Sequence, residues 1–180
     1  LLLGINTFCG QLGNATLVLF VTDVLHLGAG VFGLLLAGAA LGGIAGGLVI
    51  ARLVALLGDL RALLVSLAVN AVVFAGMGFS PNVAVLGGLL AVSGFVTTIW
   101  NVVTVSVRQR SVPASLLGRV NSVYRLLGWG LMPLGAFAGG LLAHRFGLRV
   151  PYPVAGAVRG LVLVVALPVL IPATRDATPP

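Results

Sequence analysis

Apolar residues run through this chain in long blocks, separated by short stretches that carry arginine, aspartate, proline and asparagine. The blocks fall at about residues 2–21, 31–51, 62–79, 83–107, 123–143 and 150–172, each close to the roughly 20 residues a helix needs to cross a hydrocarbon core about 30 Å thick. Lipid offers the backbone no hydrogen-bond partner, so each block must satisfy its own amides. The alternation that a barrel strand would show is absent, which leaves helices. The pattern predicts an all-α membrane protein: six transmembrane helices within residues 1–172, then a tail at 173–180.

Glycine and polar residues refine this picture. In the second block Gly38, Gly42 and Gly46 recur every four residues, with Gly43 and Gly47 repeating the interval one position round. Residues four apart stack on one helix face, so another backbone is expected to approach closely along that stripe. Gly135 and Gly139 form a shorter version in the fifth block, where Pro133 removes an internal hydrogen bond and predicts a bend.

Polar side chains also keep to faces: Thr7, Gln11 and Asn14 in the first block, and Ser93, Thr97, Asn101, Thr104 and Arg108 in the fourth, with Trp100 beside them. Such stripes must face protein or a water-filled cavity. A threonine hydroxyl can bond back to its own helix. The amides of Gln11, Asn14 and Asn101 reach outward, which suits either a cavity wall or a bond to a neighbouring helix. For Trp100 and Trp129, cavity lining competes with anchoring at the membrane interface. Arg159, inside the sixth block, is expected to snorkel to the interface and to tolerate replacement.

Composition excludes the soluble classes. Charged residues are 7% of the 180 and mean hydropathy is +1.20, against about 25% charged residues in a soluble domain. Every basic residue is an arginine, glutamate is absent, and the acids are Asp23, Asp59 and Asp176. The arginines punctuate apolar runs instead of clustering on a wet face, so a nucleic-acid partner is not expected. They do favour alternate connections: Arg52, Arg61, Arg108, Arg110, Arg119 and Arg175 on one side, Arg145 and Arg149 on the other. The positive-inside bias therefore predicts that both ends are cytoplasmic.

Cys9 has no second cysteine to pair with, and His26 and His144 stand alone, so neither a metal set nor a cofactor is expected. No nucleophile elbow, phosphate loop, dinucleotide fingerprint or buried Ser–His pair occurs, which predicts a protein that is not an enzyme. The opening Leu1-Leu2-Leu3, without a basic leader, does not read as a signal peptide and suggests a start within a longer gene product.

The run Arg108-Gln109-Arg110-Ser111-Val112-Pro113-Ala114-Ser115-Leu116-Leu117-Gly118-Arg119-Val120-Asn121-Ser122, continuing through Tyr124, Arg125 and Trp129 to Pro133 and Gly135, resembles a loop and following helix of major facilitator superfamily transporters. It is most similar to the bacterial drug and siderophore exporter branch. The likeness covers the whole chain, which would be the C-terminal six-helix half, with a missing N-terminal half as its partner. The family's acidic cytoplasmic signature is reduced here to Gly47, Arg52, Gly58 and Arg61.

The resemblance implies a bacterial inner-membrane transporter that works by alternating access around a central site. It places the first and fourth blocks at the substrate cavity. The glycine-rich second and fifth blocks would face the other half. It makes Arg52, Arg61, Arg108, Arg119, Asn121 and Arg125 candidates for a cytoplasmic gate. Efflux of drug-like or other small molecules is the leading reading, with an uptake facilitator of the same fold or a non-transporting membrane scaffold as alternatives. No acid lies within a block, so a proton-coupling carboxylate would have to belong to the other half.

Overall fold

The computed structural model describes residues 2–175, and among these no strand occurs. The elements are α1 (Leu2–Asn14), α2 (Leu17–Leu19) running into a π-helical turn (Phe20–Val24), α3 (Ala29–Leu57), α4 (Asp59–Gly78), α5 (Val83–Ser111), α6 (Ala114–Gly130), α7 (Met132–Phe146) and α8 (Pro151–Arg175). Four helices are long and apolar enough to cross a membrane: Gly30–Leu57, Asp59–Gly78, Val83–Ser111 and the nearly continuous Ser115–Phe146. Pro151–Leu167 is a shorter apolar helix. The tail expected at 173–180 lies outside the described residues from 176 onward, Asp176 included.

Two of the apolar blocks are not single helices. The first breaks at Ala15 and Thr16, where the Thr16 hydroxyl donates to the Gly13 carbonyl at 3.1 Å and draws the backbone out of the regular ladder. Beyond it, Leu25 N–H reaches back to the Phe20 carbonyl at 3.2 Å, closing the π-helical turn. The block at 123–143 divides at Leu131, between α6 and α7. Pro133 sits at the start of α7, where its missing N–H is tolerated, so the proline opens a new helix instead of bending an old one.

The connections are tighter than the block boundaries suggest. Gly58 alone joins α3 to α4, at φ +77°, a left-handed conformation that glycine adopts without steric cost. Just after it, Asp59 pairs with Arg110 at 2.6 Å, tying the start of α4 to the end of α5. At the opposite end of the bundle the Asn82 side chain caps α5, accepting from Val85 N–H at 3.0 Å. There Arg149 donates to the carbonyls of Gly78 and Ser80 at 3.1 and 3.0 Å, satisfying the open C-terminus of α4.

The helices pack as two groups. In one, α3 crosses α5 at backbone contact: a Cβ on Gly42 would collide with the Ala91 carbonyl, one on Gly46 would come within 2.6 Å of the Phe95 carbonyl, and one on Gly94 would strike the Ala39 carbonyl. In the other, Gly135 and Gly139 of α7 lie directly against the carbonyls of Phe8 and Leu12 on α1. These glycines thus serve contacts within the chain, whereas the resemblance had assigned their helices to the surface facing another half. Gly38 is the exception in its stripe, with nothing within 4 Å of a Cβ placed there.

The pair α4 and α8 joins the groups, again closely, since a Cβ on Gly156 would come within 2.6 Å of the Ala71 carbonyl. Buried side chains form one cluster around Phe20, Met77, Leu86 and Tyr152, a second around Cys9, Leu12, Phe74 and Ala155, and a third around Ala62, Ile99 and Val103. Large apolar residues such as Leu34, Leu41 and Leu48 of α3 stay exposed, as expected of a surface turned toward lipid.

The glycine crossings predict a sharp contrast between neighbouring positions. Gly42→Ala should destabilise the purified protein by about 1–3 kcal/mol through overpacking, read as a lower melting temperature in detergent. Gly38→Ala, with open space around it, should melt like the parent. Equal melting of the two variants would show that the α3–α5 crossing does not depend on backbone approach.

Candidate functional site

The polar faces of α1 and α5 meet at the seam between the two helix groups. Thr7, Gln11 and Asn14 from α1 and Thr97, Trp100 and Asn101 from α5 line a single cavity of about 240 Å³. Gln11, Asn14 and Thr97 also border a wider, open groove of about 810 Å³, whose far wall is apolar and comes from Leu36, Ala40 and Ile44 of α3. Thr104 lies elsewhere. Its hydroxyl donates back to the carbonyls of Trp100 and Asn101 at 2.7 and 3.1 Å, and it borders a separate cavity of about 350 Å³ with Arg108 and Tyr124.

Arg159 of α8 also lines the cavity of about 240 Å³. It does not snorkel: it is only 4% exposed. Its Nη1 donates to Asn70 Oδ1 of α4 at 3.1 Å, and its Nη2 donates to the Asn6 carbonyl of α1 at 3.0 Å. Asn70 Nδ2 in turn donates to Thr97 Oγ1 of α5 at 3.2 Å. One buried network therefore links α8, α4, α5 and α1.

The reasons for the inward turn are local. Arg159 lies about 12 Å along the axis from Pro151 at about 1.5 Å per residue, a long reach from the helix end. Gly10 leaves room for the guanidinium, since a Cβ there would sit 3.3 Å from Nη2. The Phe74 ring completes the pocket, with the guanidinium carbon 4.0 Å from its centroid.

Polar capacity is left over. Arg159 Nε, Asn6 Oδ1 and Trp100 Nε1 are all buried without a hydrogen-bond partner, and all three residues line the cavity. Asn6 and Asn70 were missed by the stripe pattern, although Asn70 has the buried Ser66 one turn before it on α4. The signal available for Asn70 was an amide in an apolar block, which must find a partner somewhere.

The gate candidates flank the α3–α4 and α5–α6 connections, and Arg52, Arg61, Arg119 and Asn121 are exposed. Arg108 stacks over the Tyr124 ring at 4.4 Å and Arg125 over the Trp129 ring at 4.6 Å. The ion pair at this end is instead made by Arg110 with Asp59.

A family model described as transmembrane secretion effector matches residues 9–178. No curated protein and no solved structure matches the chain.

The central network predicts opposite results for two replacements of one residue. Asn70→Leu strands the Arg159 Nη1 donor and should destabilise the protein by about 1–3 kcal/mol. Asn70→Asp keeps the acceptor and adds a countercharge to the buried guanidinium, so it should melt at or above the parent temperature. If Asn70→Leu melts like the parent, the bridge between α4 and α8 carries no stability.

Proposed function

Since the chain belongs to the transmembrane secretion effector family of the major facilitator superfamily, we propose that it forms six membrane crossings of a secondary transporter that exports small molecules by alternating access. The first crossing is α1 with α2 and the π-helical turn, the fifth is α6 with α7, and α8 is the sixth. In this reading the chain is the C-terminal half of the transport unit, held in a bacterial inner membrane with both of its ends in the cytoplasm.

The observation that carries the proposal is the meeting of the α1 and α5 polar faces on one cavity. A membrane helix gains nothing by turning amides toward lipid, and a static scaffold would pair them with each other. Here Gln11, Asn14 and Asn101 make no side-chain hydrogen bond among the described residues, and they line a cavity that adjoins an open groove. That arrangement suits a surface that releases and rebinds a solute. Partly apolar walls and amide donors and acceptors would accept small amphiphilic molecules. The transported molecule leaves chemically unchanged.

Transport is tested with the full-length protein in inside-out vesicles. Gln11→Leu, Asn14→Leu and Asn101→Leu should each lower substrate accumulation several-fold while membrane levels stay unchanged. Unaltered accumulation in all three would return these amides to a structural role.

Orientation is tested separately by cysteine labelling in intact cells. The Asp59–Arg110 pair brings the α3–α4 and α5–α6 connections to one end of the bundle, which the positive-inside bias assigns to the cytoplasm. Cysteine at Asp59 or Ser115 should react only after the membrane is permeabilised, and cysteine at His26 or Asn82 should react from outside. External labelling at Ser115 would reverse the topology.

A further inference from the structure

Among the described residues, nothing balances the charge that Arg159 carries. Asp59 is paired with Arg110 at one end of the bundle, and Asp23 sits in the π-helical turn at the other, where it accepts from the Thr22 hydroxyl at 2.7 Å. Asp176 lies outside the described residues, and the chain has no glutamate. The guanidinium offers five N–H donors, and two hydrogen bonds to protein are made, both to neutral acceptors. A buried cation is strongly disfavoured unless it is paired, and the face of Phe74 offsets only part of that cost.

From this geometry we propose that the cavity beneath α1 and α5 binds the anionic group of the transported molecule, a carboxylate on a small organic solute, with Arg159 as its principal ligand. The inference rests on the transport reading above and gives it a substrate class. Trp100 lines the same cavity and has a buried indole N–H with no partner among the described residues, so it is assigned as a second donor. Asn101 and Gln11 add neutral contacts, and the apolar wall of Leu36 and Ile44 in the adjoining groove accommodates the rest of the molecule. Two features separate this site from a purely structural arginine. The residue opens onto a cavity instead of being sealed among helices, and the polar atoms left unpaired there belong to three different helices.

A carboxylate entering the cavity would meet a guanidinium already oriented by Asn70 and the Asn6 carbonyl. Such preorganisation lowers the entropic cost of binding. It also explains why the anchor is an arginine, whose planar fork holds its two protein bonds while leaving other N–H groups for a carboxylate.

Benzoate and its neutral isostere benzamide distinguish the outcomes. The full-length protein, purified in an uncharged detergent without anionic lipid, is titrated calorimetrically with each. Benzoate should bind the parent and benzamide much more weakly, and Arg159→Met should weaken benzoate binding by about tenfold or more. Arg159→Lys, which keeps the charge but not the fork, should fall between. Because Arg159→Met also removes two structural bonds, Trp100→Phe serves as the second variant. It deletes a donor that holds no protein group, so it should weaken benzoate binding while the melting temperature falls only by what the smaller buried ring costs, less than in Arg159→Met.

Equal binding of the two ligands, no benzoate binding, or unchanged binding in Arg159→Met would overturn the proposal. An acid from another segment of the full protein that neutralises Arg159 would show itself as the second of these. Vesicle assays keep the two readings apart. Export of a neutral or cationic dye without benzoate binding would leave transport standing and remove the anion site. Benzoate binding through Arg159 without any vesicular transport would leave the site standing and remove the transport reading.

Discussion

Close backbone approach at glycine is the constraint on which the rest of this bundle depends. In lipid, apolar side chains gain little by leaving one hydrocarbon surface for another, so helices associate through van der Waals contact and hydrogen bonding. The α3–α5 crossing at Gly42, Gly46 and Gly94, and the α1–α7 crossing at Gly135 and Gly139, bring carbonyls to positions a side chain would occupy. These contacts create two helix groups with a seam between them. The cavity shared by α1 and α5 lies along that seam, and the wider groove adjoins it.

The α4–α8 pair decides what the seam contains. Because Gly156 allows α8 to lie against α4, Arg159 reaches both Asn70 and the α1 backbone and lines the cavity. The same arginine thus has two consequences. It joins the helix groups through hydrogen bonds, and it brings a positive charge into a space that otherwise holds neutral amides and an indole. Stability and chemistry depend on one side chain, which is common where polar groups survive in a membrane interior.

The two ends of the bundle are organised differently. At one end, the Gly58 turn and the Asp59–Arg110 pair hold α3, α4 and α5 together, while Arg108 and Arg125 stack on Tyr124 and Trp129. At the other, Arg149 closes the end of α4 and lies 5.3 Å from the centroid of the Phe20 ring. An arginine occupied in capping carbonyls has a local structural task, so Arg149 weighs less against the charge bias than its position alone suggests.

Much of this was legible in the sequence alone, and the rest was not, for a reason that can be stated residue by residue. Helix class follows from apolar length and from the backbone's need to bond to itself. The polar faces of Thr7, Gln11 and Asn14, and of Thr97 and Asn101, follow from spacing within one helix, which three or four residues suffice to define. The glycine stripe at Gly42 and Gly46 is visible in the same way, but not its partner, because a smooth face records no address. The breaks at Thr16 and Leu131 were hidden, since a hydroxyl or a proline marks irregularity without saying where the helix restarts. Above all, only the tertiary structure could bring Arg159 to Asn70 and Asn6. Which way a lone polar residue points depends on how its helix is rotated, and that rotation is set by neighbours distant in the chain.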